Sequence, residues 1–95
     1  MAELRIEIDR LDRQLIAFLT KRATYIDRAV ELKQIEELPA RIEARVSEVK
    51  ENVRAEARTQ GLDPDLAEDL WGQLIEWSIT REEKILGRNK QEYTR

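Results

Sequence analysis

The sequence contains no cysteine and no histidine among its 95 residues. Without cysteine the chain can form no disulfide and offers no thiolate nucleophile, and without histidine it lacks an imidazole for acid–base catalysis. Both residue types are also the usual protein ligands of transition metals. We therefore expect neither metal-dependent nor covalent catalysis.

The chain also lacks a long apolar run and a large charge of one sign. Beyond Met1 and Ala2 it runs directly into a charged segment with no apolar signal core, and no stretch is apolar enough to span a membrane. The 17 Lys and Arg residues nearly balance the 20 Asp and Glu residues, and the net charge is -3, which does not indicate nucleic-acid binding. We expect a soluble, cytoplasmic protein that binds neither nucleic acid nor membrane.

The apolar residues that are present repeat with the spacing of an α-helix. From about Glu3 to Lys33 they recur three or four positions apart, with no Gly or Pro between them. Pro39 lies in the weakly patterned stretch 34–40 and lacks the donor that a helix interior needs, so the first helix should end before it. The residues of this first stripe are Leu4, Ile8, Leu11, Leu15, Phe18, Leu19, Ile26 and Val30.

Two further helices are predicted. The second ends at Gly61, which suits the left-handed position after a helix, and the third begins with Asp63 as N-cap and Pro64 in its first turn. The pattern therefore predicts an all-α fold of three helices and no strands, in a single domain over residues 1–95. The second stripe comprises Ile42, Val46, Val49, Val53 and Ala57, and the third comprises Leu66, Leu70, Leu74, Trp77 and Ile85.

The predicted helices differ in length. At about 1.5 Å per residue the first spans about 46 Å and the others about 30 to 35 Å each. A chain this short has a small core, and its two shorter helices cannot cover the whole first stripe. We therefore expect an intertwined two-fold homodimer. A coiled coil formed by the first helix alone is the alternative that periodicity leaves open.

Several polar residues lie on the apolar stripes instead of opposite them. Arg22 and Lys33 continue the first stripe, Arg45 lies within the second, and Ser78 and Glu82 lie within the third. Burying an unpaired charge is costly, and Glu82 is the only acid on these faces. We therefore predict a cavity for an anionic ligand with more than one carboxylate, held bidentately by Arg and monodentately by Lys.

A structural explanation of the same cations is also open. Long Arg and Lys side chains can extend along a helical bundle and place their charged ends in water or against nearby acids such as Asp27, Glu31 and Glu43. That explanation is the simpler one for any single residue. The presence of cations or polar groups on the apolar stripes of all three helices favours the ligand-binding interpretation. Trp71 and Trp77 are assigned to the core and not to a ligand platform.

The order of these motifs resembles that of the all-helical chorismate mutases. The opening helix carries the pattern Leu-Arg-x-x-Ile-Asp-x-Leu-Asp-x-x-Leu from Leu4 to Leu15, followed by Lys21 and Arg22. The segment Gly-Leu-Asp at 61–63 and the segment Leu-Ile-Glu-Trp-Ser-Ile at 74–79 are similar to the second break and the third helix of that family. The similarity runs from about Leu4 to Glu83.

The resemblance implies an intertwined dimer with two active sites, each lined mostly by one protomer and completed by Arg5 of the other. Arg22 and Arg45 would hold the substrate carboxylates, Ser78 would lie against the ring carboxylate, and Lys33 would reach the ether oxygen. The implied reaction is the rearrangement of chorismate, a small dicarboxylate, to prephenate without a cofactor. Only Arg5 in this set is not singled out by spacing.

One departure from the family pattern concerns the substrate. Many mutases place a Glu directly after the second-helix Arg, where this chain has Val46. The isochorismate pyruvate lyases share the helical fold and also carry Arg-Val there, so conversion of isochorismate to salicylate and pyruvate is the alternative activity. A third possibility is a non-enzymatic helical dimer that binds a partner protein, and the cations on the stripes argue against it.

The other departure concerns the catalytic acid. Many relatives place a Gln where this chain has Glu82, and that Gln donates a hydrogen bond to the ether oxygen. A carboxylate can donate only when it is protonated; apolar surroundings favour the neutral acid, whereas Lys33 and the arginines favour the charged form. Glu82 is assigned to catalysis with Lys33, and a purely structural ion pair with Lys33 or Arg81 is the alternative.

Overall fold

Residues 1–87 are described in a computed structural model of the protein, and this part of the chain forms three α-helices and no β-strand. Helix α1 spans Ala2–Glu36, α2 spans Glu43–Gln60 and α3 spans Pro64–Leu86. The predicted all-α fold is thus confirmed. Over residues 1–87, none of the helices combines the length and the apolar character that crossing a membrane requires.

The connection between α2 and α3 follows the residues that predicted it. Gly61 adopts a left-handed conformation with φ of 82°, and its N–H donates to the carbonyls of Ala57 and Arg58. Asp63 caps α3 by accepting a hydrogen bond from the Asp65 N–H at 2.9 Å, and Pro64 opens the helix. These local signals set the second chain reversal.

The first helix continues past its predicted end at Lys33 to Glu36, so the connection to α2 covers residues 37–42 instead of 34–40. Glu37 takes the left-handed conformation, with φ of 58° and ψ of 42°, and Leu38 donates its N–H to the Lys33 carbonyl at 2.9 Å. This is the termination that glycine usually provides. A glutamate in that position carries no sequence signal, which is why the predicted end was wrong.

Helix α3 packs against both α1 and α2 and supplies most of the buried residues. Its inward stripe is Ala67, Ile75, Ser78, Ile79 and Glu82. Ile75 and Ile79 form the core cluster with Ala40 of the first connection, and Val46, Val49 and Leu86 pack against it.

The predicted third stripe was wrong as the core-facing side of a single chain. Four of its five members, Leu66, Leu70, Trp77 and Ile85, are exposed, and Trp77, which was assigned to the core, keeps 51% of its surface exposed. Trp71 is partly buried. Helix α3 carries apolar side chains on two faces, and periodicity alone does not say which face meets its own chain.

The N-terminal part of α1 extends beyond the other helices. Residues 1–21 are all exposed, although they include six of the eight residues of the first stripe. The described chain is 60 Å long, and its radius of gyration is 16.6 Å, against about 12 Å for a compact domain of this size. Residues 1–87 therefore leave a large apolar surface of α1 uncovered.

Candidate active site

A cavity of about 240 Å³ lies between the C-terminal half of α1, the first half of α2 and the C-terminal half of α3. Its apolar lining comes from Ile26, Ala29, Ala40, Ile42, Val49, Ile75 and Ile79. Six of the seven predicted site residues also line it: Arg22, Lys33, Arg45, Val46, Ser78 and Glu82. The fold thus brings together residues that are up to 60 positions apart in the sequence.

Lys33 and Glu82 form the most buried ion pair at the cavity. The Lys33 Nζ lies 2.6 Å from Glu82 Oε1, and the two side chains keep 18% and 5% of their surface exposed. The same Nζ donates to the carbonyl oxygen of Ala40 at 2.8 Å. An ammonium group has three protons, so two are engaged by these acceptors and a third can be donated to a ligand in the cavity.

Arg22 lies deeper in the cavity than the other arginine. Its Nη1 donates to Ser78 Oγ at 3.3 Å, which joins α1 to α3 across the cavity. Burial, and secondly the positive charge of Arg45, lower the pKa of Arg22. The guanidinium nevertheless stays charged. Two like charges that face one cavity favour the binding of an anion there.

Arg45 lines the cavity although most of its side chain is exposed. Its side chain is 64% exposed, and its Nη1 donates to Glu48 Oε1 at 2.6 Å. An exposed ion pair within one helical turn contributes at most about 1 kcal/mol. Arg45 can therefore exchange Glu48 for a ligand carboxylate at little cost.

The charges and the apolar walls of the cavity determine which ligand it can bind. Among residues 1–87, three cations, Arg22, Lys33 and Arg45, face it, and Glu82 is the only acid that lines it. Val46 is partly buried against the core cluster and gives the cavity an apolar wall next to Arg45. Within residues 1–87, no three acidic side chains are grouped so that they could hold a metal ion. The excess positive charge suits a ligand with more than one carboxylate.

Arg5 is the predicted site residue that the fold does not bring to this cavity. It lies near the start of α1 and is exposed. Its position is 17 residues before Arg22 on the same helix, which is about 26 Å along the helix axis. Arg5 can therefore meet a cavity of this kind only in another copy of the chain.

The charged residues beside the cavity explain why Glu82 pairs with Lys33 and not with Arg81. Arg81 makes two hydrogen bonds to Asp27, at 2.7 and 3.1 Å, and lies 5.4 Å from the centre of the Trp77 ring. The hydrogen bond from Arg81 lowers the pKa of Asp27. This pair joins α1 to α3 on the outside and leaves the Glu82 carboxylate to Lys33.

One polar group at the cavity, the carbonyl of Ala40, has no signal in the sequence. It belongs to the connection between α1 and α2, where no periodic pattern exists to place it. A main-chain acceptor also leaves no trace in the residue type. The proline at position 39 was the only local signal, and it predicted no more than a break in the helix.

Comparison with known proteins agrees with the earlier resemblance. The family model described as chorismate mutase type II matches residues 4–91. A relative, the T-protein of Enterobacter agglomerans, is 32% identical over 82 residues, which cover 86% of this chain and 22% of the relative. This chain therefore spans less than a quarter of the length of that relative. No solved structure matches the chain significantly. The match over residues 4–91 shows that the chain belongs to the chorismate mutase type II family.

Proposed function

We propose that this chain catalyses the rearrangement of chorismate to prephenate. The observation that carries the proposal is that Arg22, Lys33 and Arg45 line one cavity, with Glu82 as its only acid among the described residues. Ligand pockets for small molecules have volumes of roughly 300 to 1,000 Å³. The cavity of about 240 Å³ is close to this range, although it is formed by one chain alone. In a dimer the second chain would enclose further volume.

The rearrangement makes few chemical demands on the protein. Within one molecule the ether carbon–oxygen bond breaks while a carbon–carbon bond forms, so neither a nucleophile nor a proton transfer is needed. The protein can select the compact, reactive conformer by holding both carboxylates and can stabilise negative charge on the ether oxygen. We assign the carboxylates to Arg22 and Arg45, with Ser78 beside the ring carboxylate, and the ether oxygen to Lys33.

Glu82 has a place in this mechanism in either protonation state. As a carboxylate it orients the Lys33 ammonium through the 2.6 Å contact, but it also offsets part of the positive charge that the substrate needs. When protonated it can donate a second hydrogen bond to the ether oxygen. We therefore propose that the protonated form is the more active one.

We further propose that the protein works as an intertwined homodimer. The apolar surface of residues 1–21 has no cover within the described chain, and Arg5 lies about 26 Å along α1 from Arg22. A two-fold dimer would bury the first surface and would bring each Arg5 to the cavity of the other protomer. In this arrangement residues 1–95 act as a single domain, and the substrate is a metabolite met in the cytoplasm.

Val46 supports a second candidate activity, the conversion of isochorismate to salicylate and pyruvate. It places an apolar wall where a carboxylate would accept a hydrogen bond from the ring hydroxyl of chorismate. The lyase reaction is also pericyclic, so the same cations could serve it. The position of the ring hydroxyl distinguishes the two substrates, and Val46 is the residue that would meet it.

A paired assay tests these alternatives. Purified protein is given chorismate and isochorismate separately, and prephenate and salicylate are measured from mildly acidic to neutral pH. We expect prephenate from chorismate as the main product. Salicylate as the main product would make the lyase the correct assignment. If neither product forms above the uncatalysed rate, the enzymatic proposal fails and a non-enzymatic binding role takes its place.

A further inference from the structure

The connection between α1 and α2 is held against α3 by its residue Ala40. Ala40 is buried, with 3% of its surface exposed, and it packs in the core cluster with Ile75 and Ile79. Its carbonyl oxygen accepts a hydrogen bond from Lys33 Nζ at 2.8 Å. The position of this short connection therefore determines one of the two acceptors that orient the Lys33 ammonium.

The next residue, Arg41, fixes the connection to α3 from the outside. Its Nη2 lies 2.5 Å from Glu76 Oε1 on α3, and its Nη1 lies 3.4 Å from Glu43 Oε1 at the start of α2. The hydrogen bond from Arg41 lowers the pKa of Glu76, and the same bond raises the pKa of Arg41. Glu76 directly follows Ile75, so the ion pair and the apolar contact of Ala40 hold the same point of α3.

We propose that Arg41 and Glu76 are positioning residues for the reaction: they hold the connection against α3, fix the Ala40 carbonyl and thereby aim the Lys33 ammonium into the cavity. This inference rests on the proposed function, because it assigns a task to Lys33. Neither Arg41 nor Glu76 is among the residues that line the cavity. Their effect on catalysis is therefore indirect.

The physical reason lies in the flexibility of a lysine side chain. Its ammonium ends a four-carbon stem and can rotate, so it is aimed only by the acceptors that hold its protons. Glu82 comes from α3 and the Ala40 carbonyl from the connection, and together they leave one proton direction for the ligand. If the carbonyl moves, the ammonium follows Glu82 alone, and small displacements of a catalytic group reduce the rate.

The expected effect is modest, because the Arg41–Glu76 pair is itself partly exposed. Pairs of this kind shift an equilibrium by up to roughly fivefold. We expect kcat to fall roughly twofold to fivefold when the pair is broken, whereas KM should stay near its original value because Arg22 and Arg45 still bind the carboxylates. Unfolded protein would also lower the apparent kcat at unchanged KM, so kcat is calculated per folded protomer, with the folded fraction of each variant measured by circular dichroism.

The first test is a mutant cycle with a matched control. The variants are Arg41→Gln, Glu76→Gln and the double variant, and the control is Arg54→Gln. Arg54 also joins α2 to α3 by ion pairs, 2.9 Å from both Asp65 and Glu68, but at the end of α2 away from the cavity.

Each single variant should lower kcat for chorismate, and the double variant should lower it no further, because both changes break one interaction. The control should keep its kcat. Unchanged kcat in the single variants would overturn the proposal, as would additive losses in the double variant or an equal loss in the control.

A second test does not depend on turnover. In protein with ¹⁵N-labelled lysine, the ammonium signal of Lys33 is identified by its loss in Lys33→Arg, and its exchange with solvent protons is measured. Exchange should be faster in Arg41→Gln than in the original protein and unchanged in Arg54→Gln; equal exchange in all three would overturn the positioning role. A protein that turns over neither chorismate nor isochorismate would refute the proposed function and leave this measurement to decide the positioning role.

Discussion

Replacing Lys33 by Ala should affect both stability and turnover, and a second substitution should separate the two effects. In the structure the Glu82 side chain is 5% exposed and lies 2.6 Å from Lys33 Nζ. Lys33→Ala would leave that carboxylate buried without its counter-charge. The double variant Lys33→Ala/Glu82→Gln removes the remaining charge while it keeps the shape of the side chain.

The size of each effect follows from the burial of the pair. Removing one partner of a buried ion pair costs about 3 to 5 kcal/mol, and we take about 3 kcal/mol because the Lys33 side chain keeps 18% exposure at the cavity. With a urea dependence of about 2 kcal/mol per molar, the unfolding midpoint of Lys33→Ala should fall by about 1.5 M. Turnover should fall about 10²- to 10³-fold, as for the loss of one donor to a developing negative charge.

The assay compares the original protein, the single variant and the double variant at one protomer concentration, because dimer stability depends on concentration. The double variant should regain most of the lost urea midpoint but none of the lost turnover. Turnover close to the original value in Lys33→Ala would refute the role of Lys33. Equal midpoints in the single and double variants would show that no buried charge had been left unpaired.

Three other predictions concern the acid, the substrate and the assembly. A glutamine amide donates a hydrogen bond at any pH, so Glu82→Gln should raise turnover at neutral pH in initial-rate measurements; unchanged turnover would remove Glu82 from catalysis. Val46→Glu should raise the ratio of chorismate to isochorismate turnover roughly fivefold to tenfold, the effect of one added hydrogen bond, and an unchanged ratio would exclude Val46 from substrate selection. Phe18 is 70% exposed on α1, and Phe18→Asp should shift the protein from dimer to monomer in light scattering; a monomer before the substitution would contradict the proposed assembly.

The ends of the helices were predictable where the residue types strongly favour a helix end or a helix start. Gly61 ends α2 and the Asp63-Pro64 pair begins α3, as expected. The left-handed conformation of Gly61 is rare for other residues, and the proline ring fixes φ at a value that suits the first turn of a helix. The end of α1 was not predictable, because Glu37 adopts the left-handed conformation without being glycine or asparagine. A tertiary contact, the burial of Ala40, accompanies that turn.

The candidate site was predictable from charge on apolar stripes, but its internal contacts were not. Arg22 and Lys33 continue the apolar stripe of α1, and Glu82 lies within that of α3. Because helical spacing determines which face a residue occupies, all three were expected to face the interior of the bundle. The exposure of Arg45 was missed, since spacing gives the direction of a residue and not the reach of its side chain. The Arg41–Glu76 pair was missed because it joins a connection to a helix, and no sequence period relates the two.

A cationic chorismate site that is completed by a second copy of the chain can be tested by mixing two inactive variants. Arg5→Ala lacks the residue that crosses the interface, and Lys33→Ala/Glu82→Gln lacks the resident ammonium. Unfolding and refolding an equal mixture should give about half mixed dimers, each with one intact site, and therefore about a quarter of the original activity. We expect this recovery of prephenate formation. Activity no greater than the average of the two separate variants would contradict it.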